Sequence, residues 1–127
     1  MKKILIIEDD SLTAQSYAEH FADEYEVCIS KNGEQGLQEA QEILPDVILL
    51  DVMLPGKMNG FDVLRELKQR TPTTHIPVII LTNLDDQKKA ALEFGAAECF
   101  VKANTPIDQV SAVIRTVLQS VQPTKAK

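Results

Sequence analysis

Between Pro45 and Gly56, four apolar residues, Val47 to Leu50, end at the carboxylate of Asp51, and a turn carrying Pro55 and Gly56 follows. A strand with no polar alternation is buried on both faces, the habit of a parallel sheet covered by helices. Asp51 then stands at the carboxyl edge of that sheet, where open α/β sheets gather ligands and chemistry. A carboxylate in that place is a metal ligand, a nucleophile or a cap for the helix that follows.

The pattern recurs along the chain. Residues 3–7 form an apolar strand that ends in Glu8-Asp9-Asp10. The next segment reads as an amphipathic helix capped by Ser11 or Asp10, with Ala14, Tyr17, Ala18 and Phe21 at i, i+3, i+4 and i+7. Tyr25 to Ile29 is the second strand. Asn32-Gly33-Glu34-Gln35 resembles a capping box for a helix with an inner stripe of Leu37, Ala40 and Leu44, stopped by Pro45. Beyond Asp51, Gly60 precedes a helix that buries Phe61, Val63, Leu64 and Leu67, broken by Thr71 to Pro77. Val78 to Leu81 is a fourth strand, ending at Thr82-Asn83. A short helix over 85–94, with Asp85-Asp86 at its solvated start, closes at Gly95. Glu98 to Val101 leads to Lys102. Thr105, Pro106 and Asp108 supply an N-cap, a proline at N1 and an acid at N3. The last helix turns Ile107, Val110, Ile114, Val117, Leu118 and Val121 inward.

Five strands alternating with five helices predict an α/β, doubly wound, five-stranded parallel sheet in the order 2-1-3-4-5, as in flavodoxin-like folds. One domain over 1–121 and a polar, fraying tail over 122–127 account for all 127 residues. The net charge of −6 argues against a nucleic-acid surface. No apolar run approaches the roughly 18–20 residues that span a membrane. The apolar run at the start, Ile4 to Ile7, is too short for a signal peptide, so a cytoplasmic location is expected. Cys28 and Cys99, far apart and in apolar surroundings, read as small buried hydrophobes, and His20 and His75 as surface residues.

In the order 2-1-3-4-5 the ends of strands one, three and four line one crevice. Glu8, Asp9 and Asp51 gathered there repel one another and call for a cation. Hard oxygen donors at that density suit Mg²⁺. Lys102 and Thr82 beside them suit an incoming phosphoryl group, one as a positive charge and the other as a hydrogen-bond donor.

With Ile7-Glu8-Asp9-Asp10, Leu50-Asp51-Val52-Met53-Leu54-Pro55, Gly60, Thr82 and Lys102 in register, the chain resembles the receiver domain of two-component response regulators over essentially its whole length. The resemblance implies phosphorylation of Asp51 by a histidine kinase or phosphotransfer protein. It implies Mg²⁺ ligation by Asp9, Asp51 and the main-chain carbonyl of Met53, with Glu8 acting through a water. Lys102 would pair with one phosphoryl oxygen and Thr82 would swing to another. Output would go to a protein partner through the face formed by the fourth helix, fifth strand and fifth helix. The expectation is a stand-alone signalling module rather than a turnover enzyme, with the alternative that the chain is part of a larger regulator or hybrid kinase.

Four departures from the family pattern stand out. Cys99 occupies the position, three before Lys102, that usually carries the aromatic switch, and alternation puts Phe100 on the opposite face. Ala103 replaces the usual proline, which disfavours a cis peptide there. The Gly56–Gly60 loop is one residue longer than usual, and Asn83 stands where a small residue is common. Met53 and Leu84, apolar at the positions that guide the hydrolytic water in relatives, predict slow autodephosphorylation. The alternative function is a receiver-like scaffold that binds partners without phosphorylation. An aspartyl phosphatase is a poorer fit, because Met53 stands where a second Asp is wanted. A flavin site is poorer still, because the first turn is acidic.

Overall fold

The computed structural model describes residues 1–84 and 86–125, with side chains through Gln119. The strands are β1 (Lys2–Ile7), β2 (Tyr25–Ser30), β3 (Val47–Asp51), β4 (Val78–Thr82) and β5 (Glu98–Val101). The helices are α1 (Ser11–Phe21), α2 (Gly33–Ile43), α3 (Gly60–Gln69), α4 (Lys88–Glu93) and α5 (Ile107–Lys125), with a 3₁₀ turn at Lys102–Asn104. All strand pairs are parallel, in the order β2-β1-β3-β4-β5.

Every residue of β3 and β4 is buried, as their unbroken apolar runs require. Alternate residues serve opposite layers. Leu5, Ile7, Ile48, Leu50, Ile80 and Cys99 pack under α2, α3 and α4. Ile4, Ile6, Val47, Leu49, Ile79 and Leu81 pack under α1 and α5. Phe100 joins this second layer while Cys99 joins the first, as alternation demands.

The register levels the strand ends. Ile7 pairs with Leu50, so Glu8 falls beside Asp51; Thr82 pairs with Val101, so Lys102 begins where β4 ends. The turn after β3 is fixed by close approach. A Cβ on Gly60 would stand 2.3 Å from the Asp51 carbonyl oxygen and 2.5 Å from Val52 Cα. The first turn of α3 therefore rests directly on the backbone of the site.

Several local expectations change. Of the two cap candidates for α1, Asp10 holds and Ser11 does not: the Asp10 carboxylate accepts from Thr13 N at 2.9 Å. Asn32 caps α2, but the Gln35 side chain accepts from Lys31 N rather than completing a box with Asn32. A full capping box instead opens α3, between Asn59 and Asp62. Leu44 is the C-cap of α2 at φ 47°, which turns its side chain out to 51% exposure instead of into the core. The helix expected over 85–94 spans only Lys88–Glu93, because Gln87 offers no side-chain cap; Asp86 precedes it and Asp85 lies outside the described residues. Its C-terminal signal holds: Gly95 at φ 105° sends its N–H to Leu92 O, and Ala96 sends its own to Ala91 O, a Schellman closure. Thr105 does not cap α5, since its hydroxyl donates back to Val101 O, and Pro106 O accepts the first helical bond from Val110 N. The backbone of α5 continues through Lys125, past the point assigned to a polar tail, and the Val121 side chain lies outside the described residues.

Candidate functional site

The strand ends bring most of the predicted residues into one cleft of about 780 Å³, lined by Glu8, Asp9, Asp10, Asp51, Met53, Asn83 and Lys102 among others, while Thr82 is buried behind its wall and does not line it. Glu8 and Asp51 are 3% and 6% exposed, while Asp9 lies open at the rim. Lys102 Nζ stands 2.5 Å from Glu8 Oε1 and 3.4 Å from Asp51 Oδ2, so one ammonium bridges two buried carboxylates. The remaining oxygens are tied to the backbone. Asp10 N donates to Glu8 Oε2 and Met53 N to Asp51 Oδ1, each at 3.2 Å.

Burial pushes the Glu8 carboxyl above the usual range, Lys102 pulls it back and the Asp51 charge pushes it up again. Burial alone would lower the Lys102 ammonium; its bond to Glu8 and the Asp51 charge outweigh that and hold it above its ordinary value. The Thr13 hydroxyl and amide keep Asp10 low, in keeping with its role as a cap. Asp10 is thus the capping acid of the triplet, although it also lines the cleft beside Glu8 and Asp9.

The donor set fits a small hard cation. Glu8, Asp9 and Asp51 each offer an oxygen within 4.8 Å of the others. Opposite ligands of octahedral Mg²⁺ stand about 4.2 Å apart, so modest side-chain movement closes the set.

Thr82 is fully buried and its Oγ1 accepts from Leu84 N at 3.0 Å, which leaves its own proton without an acceptor among the described residues. The long loop after β3 does not cover the cleft. Met58 folds back onto the α2–α3 core, and only Met53 of that loop lines the acid site. Asn83 is exposed on the cleft wall, and the Lys102–Ala103 peptide is trans. Cys99 is buried and Cys28 half-buried, both free thiols pushed up by burial. His75 is exposed, and His20 lies 3.6 Å from Asp108 at the far end of α1.

A sequence model of the response regulator receiver domain matches residues 4–114. The chain belongs to the response regulator receiver-domain family. This receiver domain is 40% identical over 116 residues to the response regulator PleD of Caulobacter vibrioides, covering 89% of this chain and 25% of PleD. It is 44% identical over 105 residues to the transcriptional regulatory protein CiaR of Streptococcus pneumoniae, covering 80% of this chain and 45% of CiaR. The chain thus spans a quarter to about half the length of these two curated relatives. The Francisella response regulator 1452 receiver domain matches at TM-score 0.87 and 25% identity, over 94% of this chain and 98% of that one. The BeF₃-activated receiver domain of Klebsiella pneumoniae RstA matches at 0.82 and 30%, over 91% and 97%.

Receiver domains work in two-component systems with histidine kinases and phosphotransfer proteins, generally not as classical enzymes, and the family binds Mg²⁺ at an acidic pocket. Among the described residues of this receiver domain no helix is long and apolar enough to cross a membrane. Sequence reasoning overlooked the α1 wall of the cleft, made by Leu12, Thr13, Ser16 and Tyr17. The signal was present. Thr13, Ser16 and Tyr17 follow Asp9 at i+4, i+7 and i+8, the same helical face.

Proposed function

We propose that this receiver domain accepts a phosphoryl group on Asp51 from a histidine kinase or phosphotransfer protein, in a Mg²⁺-dependent reaction, and passes the change to a protein partner. The observation that carries this reading is Lys102 poised between Glu8 and Asp51 at the end of the buried strand β3, with Asp9 beside them. An Asp51 carboxylate oxygen attacks phosphorus in line; the P–N bond to the donor imidazole breaks, the ring nitrogen leaves with the electron pair, and an acyl phosphate forms. Lys102 exchanges a carboxylate for a phosphoryl oxygen, and the free Thr82 proton serves another. Asp9, Asp51 and the Met53 carbonyl would hold Mg²⁺, with Glu8 acting through a water. The bound ion supplies positive charge that offsets the carboxylates and the equatorial oxygens.

The output surface under this reading is the α4–β5–α5 face, reached when Thr82 turns from Leu84 toward the phosphoryl group. The setting is the cytoplasm, where the kinase's nucleotide is found. Met53 and Leu84 are 59% and 41% exposed and apolar, which leaves the attacking water without a polar guide. Autodephosphorylation is accordingly slow, and a phosphoryl half-life of seconds in purified protein with Mg²⁺ would contradict this.

Cys99 favours a second reading, an interaction scaffold that works without phosphorylation, because no ring stands at that position to move with Thr82. Intact mass after treatment with a small-molecule phosphodonor separates the two. One added phosphoryl group in wild type, absent from Asp51→Ala and lost on chelating Mg²⁺, supports phosphotransfer. No adduct under conditions that label other receivers selects the scaffold.

A further inference from the structure

Tyr17 lies at helical spacing with Ala14, Ala18 and Phe21, and its ring behaves as that spacing requires. It packs on the α1–α5 core and lies parallel to Phe21, with centroids 6.3 Å apart and planes inclined by 6°. A Phe would fill that role as well. The hydroxyl is what a core stripe does not need, and Tyr17 also lines the acid cleft with Lys102, Asp51 and Ile107. Among the described residues this hydroxyl makes no hydrogen bond. Lys102, Glu8 and Asp51 all act on it electrostatically, while burial keeps it a neutral phenol. The phenol oxygen is open to the cleft, where a water can reach it.

Lys102 offers the matching half. An ammonium carries three protons. One goes to Glu8 Oε1 and a second faces Asp51 Oδ2, leaving the third without an acceptor among the described residues. A spare acceptor and a spare donor line the same cleft.

We propose that Tyr17 is a positioning residue for Lys102: its phenol oxygen receives the third ammonium proton through one bridging water and keeps Nζ within reach of Asp51 instead of surrendering it to Glu8. A single water is an effective bridge across such a gap. The inference rests on Asp51 being the phosphoryl acceptor, and it makes α1 part of the reaction machinery rather than packing alone.

Tyr17→Phe removes the oxygen and keeps the stacked ring. With phosphoramidate as donor and Mg²⁺ fixed, the variant should be phosphorylated about five-fold more slowly at saturating donor. The half-saturating donor concentration should not change. In a Lys102→Ala background the same substitution should slow nothing further. A second readout needs neither donor nor metal. The chain has two Tyr and no Trp, so Lys102→Ala should alter tyrosine emission when Tyr17 is present and leave it unchanged in Tyr17→Phe. Equal rates for Tyr17→Phe and wild type, a slowing that persists without Lys102, or an emission change independent of Tyr17 would each overturn the proposal. Wild type that takes no phosphoryl group at all would instead remove the Asp51 reading on which it stands.

Discussion

At the β1–β3 end of the sheet's carboxyl edge, Glu8 and Asp51 are buried, share one lysine and sit on a backbone locked by Gly60. At the β4–β5 end, Thr82 merely closes a turn onto Leu84, and the helix beyond has six residues and no side-chain N-cap. The core beneath that helix at β5 is a thiol, not a ring. One region fixes charged groups against their own repulsion, and that takes neighbours on several strands. The other is held by a C-terminal Schellman closure and a few apolar contacts, so it opens and shifts at lower cost. Under the proposed function, chemistry and readout would place different mechanical requirements on the two ends of one sheet.

The contrast breaks most sharply at Gly60. In Gly60→Ala the new Cβ meets backbone on both sides, at Asp51 O and Val52 Cα, so the α3 turn and the β3 end must separate. We expect a loss of about 3 kcal/mol or more by urea denaturation. If Gly60→Ala unfolds like wild type, the site's backbone is not locked in the way described.

Cys99→Tyr probes the other end. The thiol is 4% exposed in the α2–α4 layer, and a ring there needs space that the layer lacks. A loss of about 1–3 kcal/mol is expected from overpacking. A variant of wild-type stability would mean that the α4 side has room for a ring. Gly95→Ala should cost about 1–2 kcal/mol, for conformation rather than space: φ is 105°, and the nearest atom, Lys68 Cγ at 3.2 Å, belongs to a flexible chain. A smaller loss than at Gly60 is the expected order.

The same contrast explains what the sequence disclosed. Unbroken apolar runs ending in Asp51 and Thr82 announced buried parallel strands, alternation with helices announced the α/β sheet, and the strand order came by analogy with flavodoxin-like folds. The acids and Lys102 were legible because each terminates such a run. Caps were less so: Asn59 and Asp62 close a box that a Gly-rich loop disguised, and the Gln35 side-chain oxygen accepts from Lys31 N–H, one residue before the donor a capping box needs. The start of α4 was overextended because Asp85-Asp86 mimics an acidic first turn, whereas the helix begins only at Lys88. Tyr17 was hidden by its own ring, which satisfies the core pattern so fully that the hydroxyl draws no notice.

The smallest expected effect concerns the cost of the charge at the site. Burial first, then the Asp51 charge, raises the Glu8 carboxyl above 4.5, against the pull of Lys102. A carboxyl raised on folding stabilises the native state while protonated. That contribution is complete below pH 4.5 and is lost as pH rises through the folded value. Glu8→Gln does not titrate, so its stability should gain on wild type as pH rises above 4.5. Lys102 does not blur the window, since its raised ammonium contributes fully below 10.5 and fails only as pH climbs through its folded value. Urea midpoints at pH 4 through 8 measure the difference. Mg²⁺ should shrink it, because a cation beside Glu8 restores the value of the charged form. A difference flat across that range would mean that the Lys102 bridge compensates Glu8 completely, and the strand-end acids would then hold no excess charge for a metal or phosphoryl group to relieve.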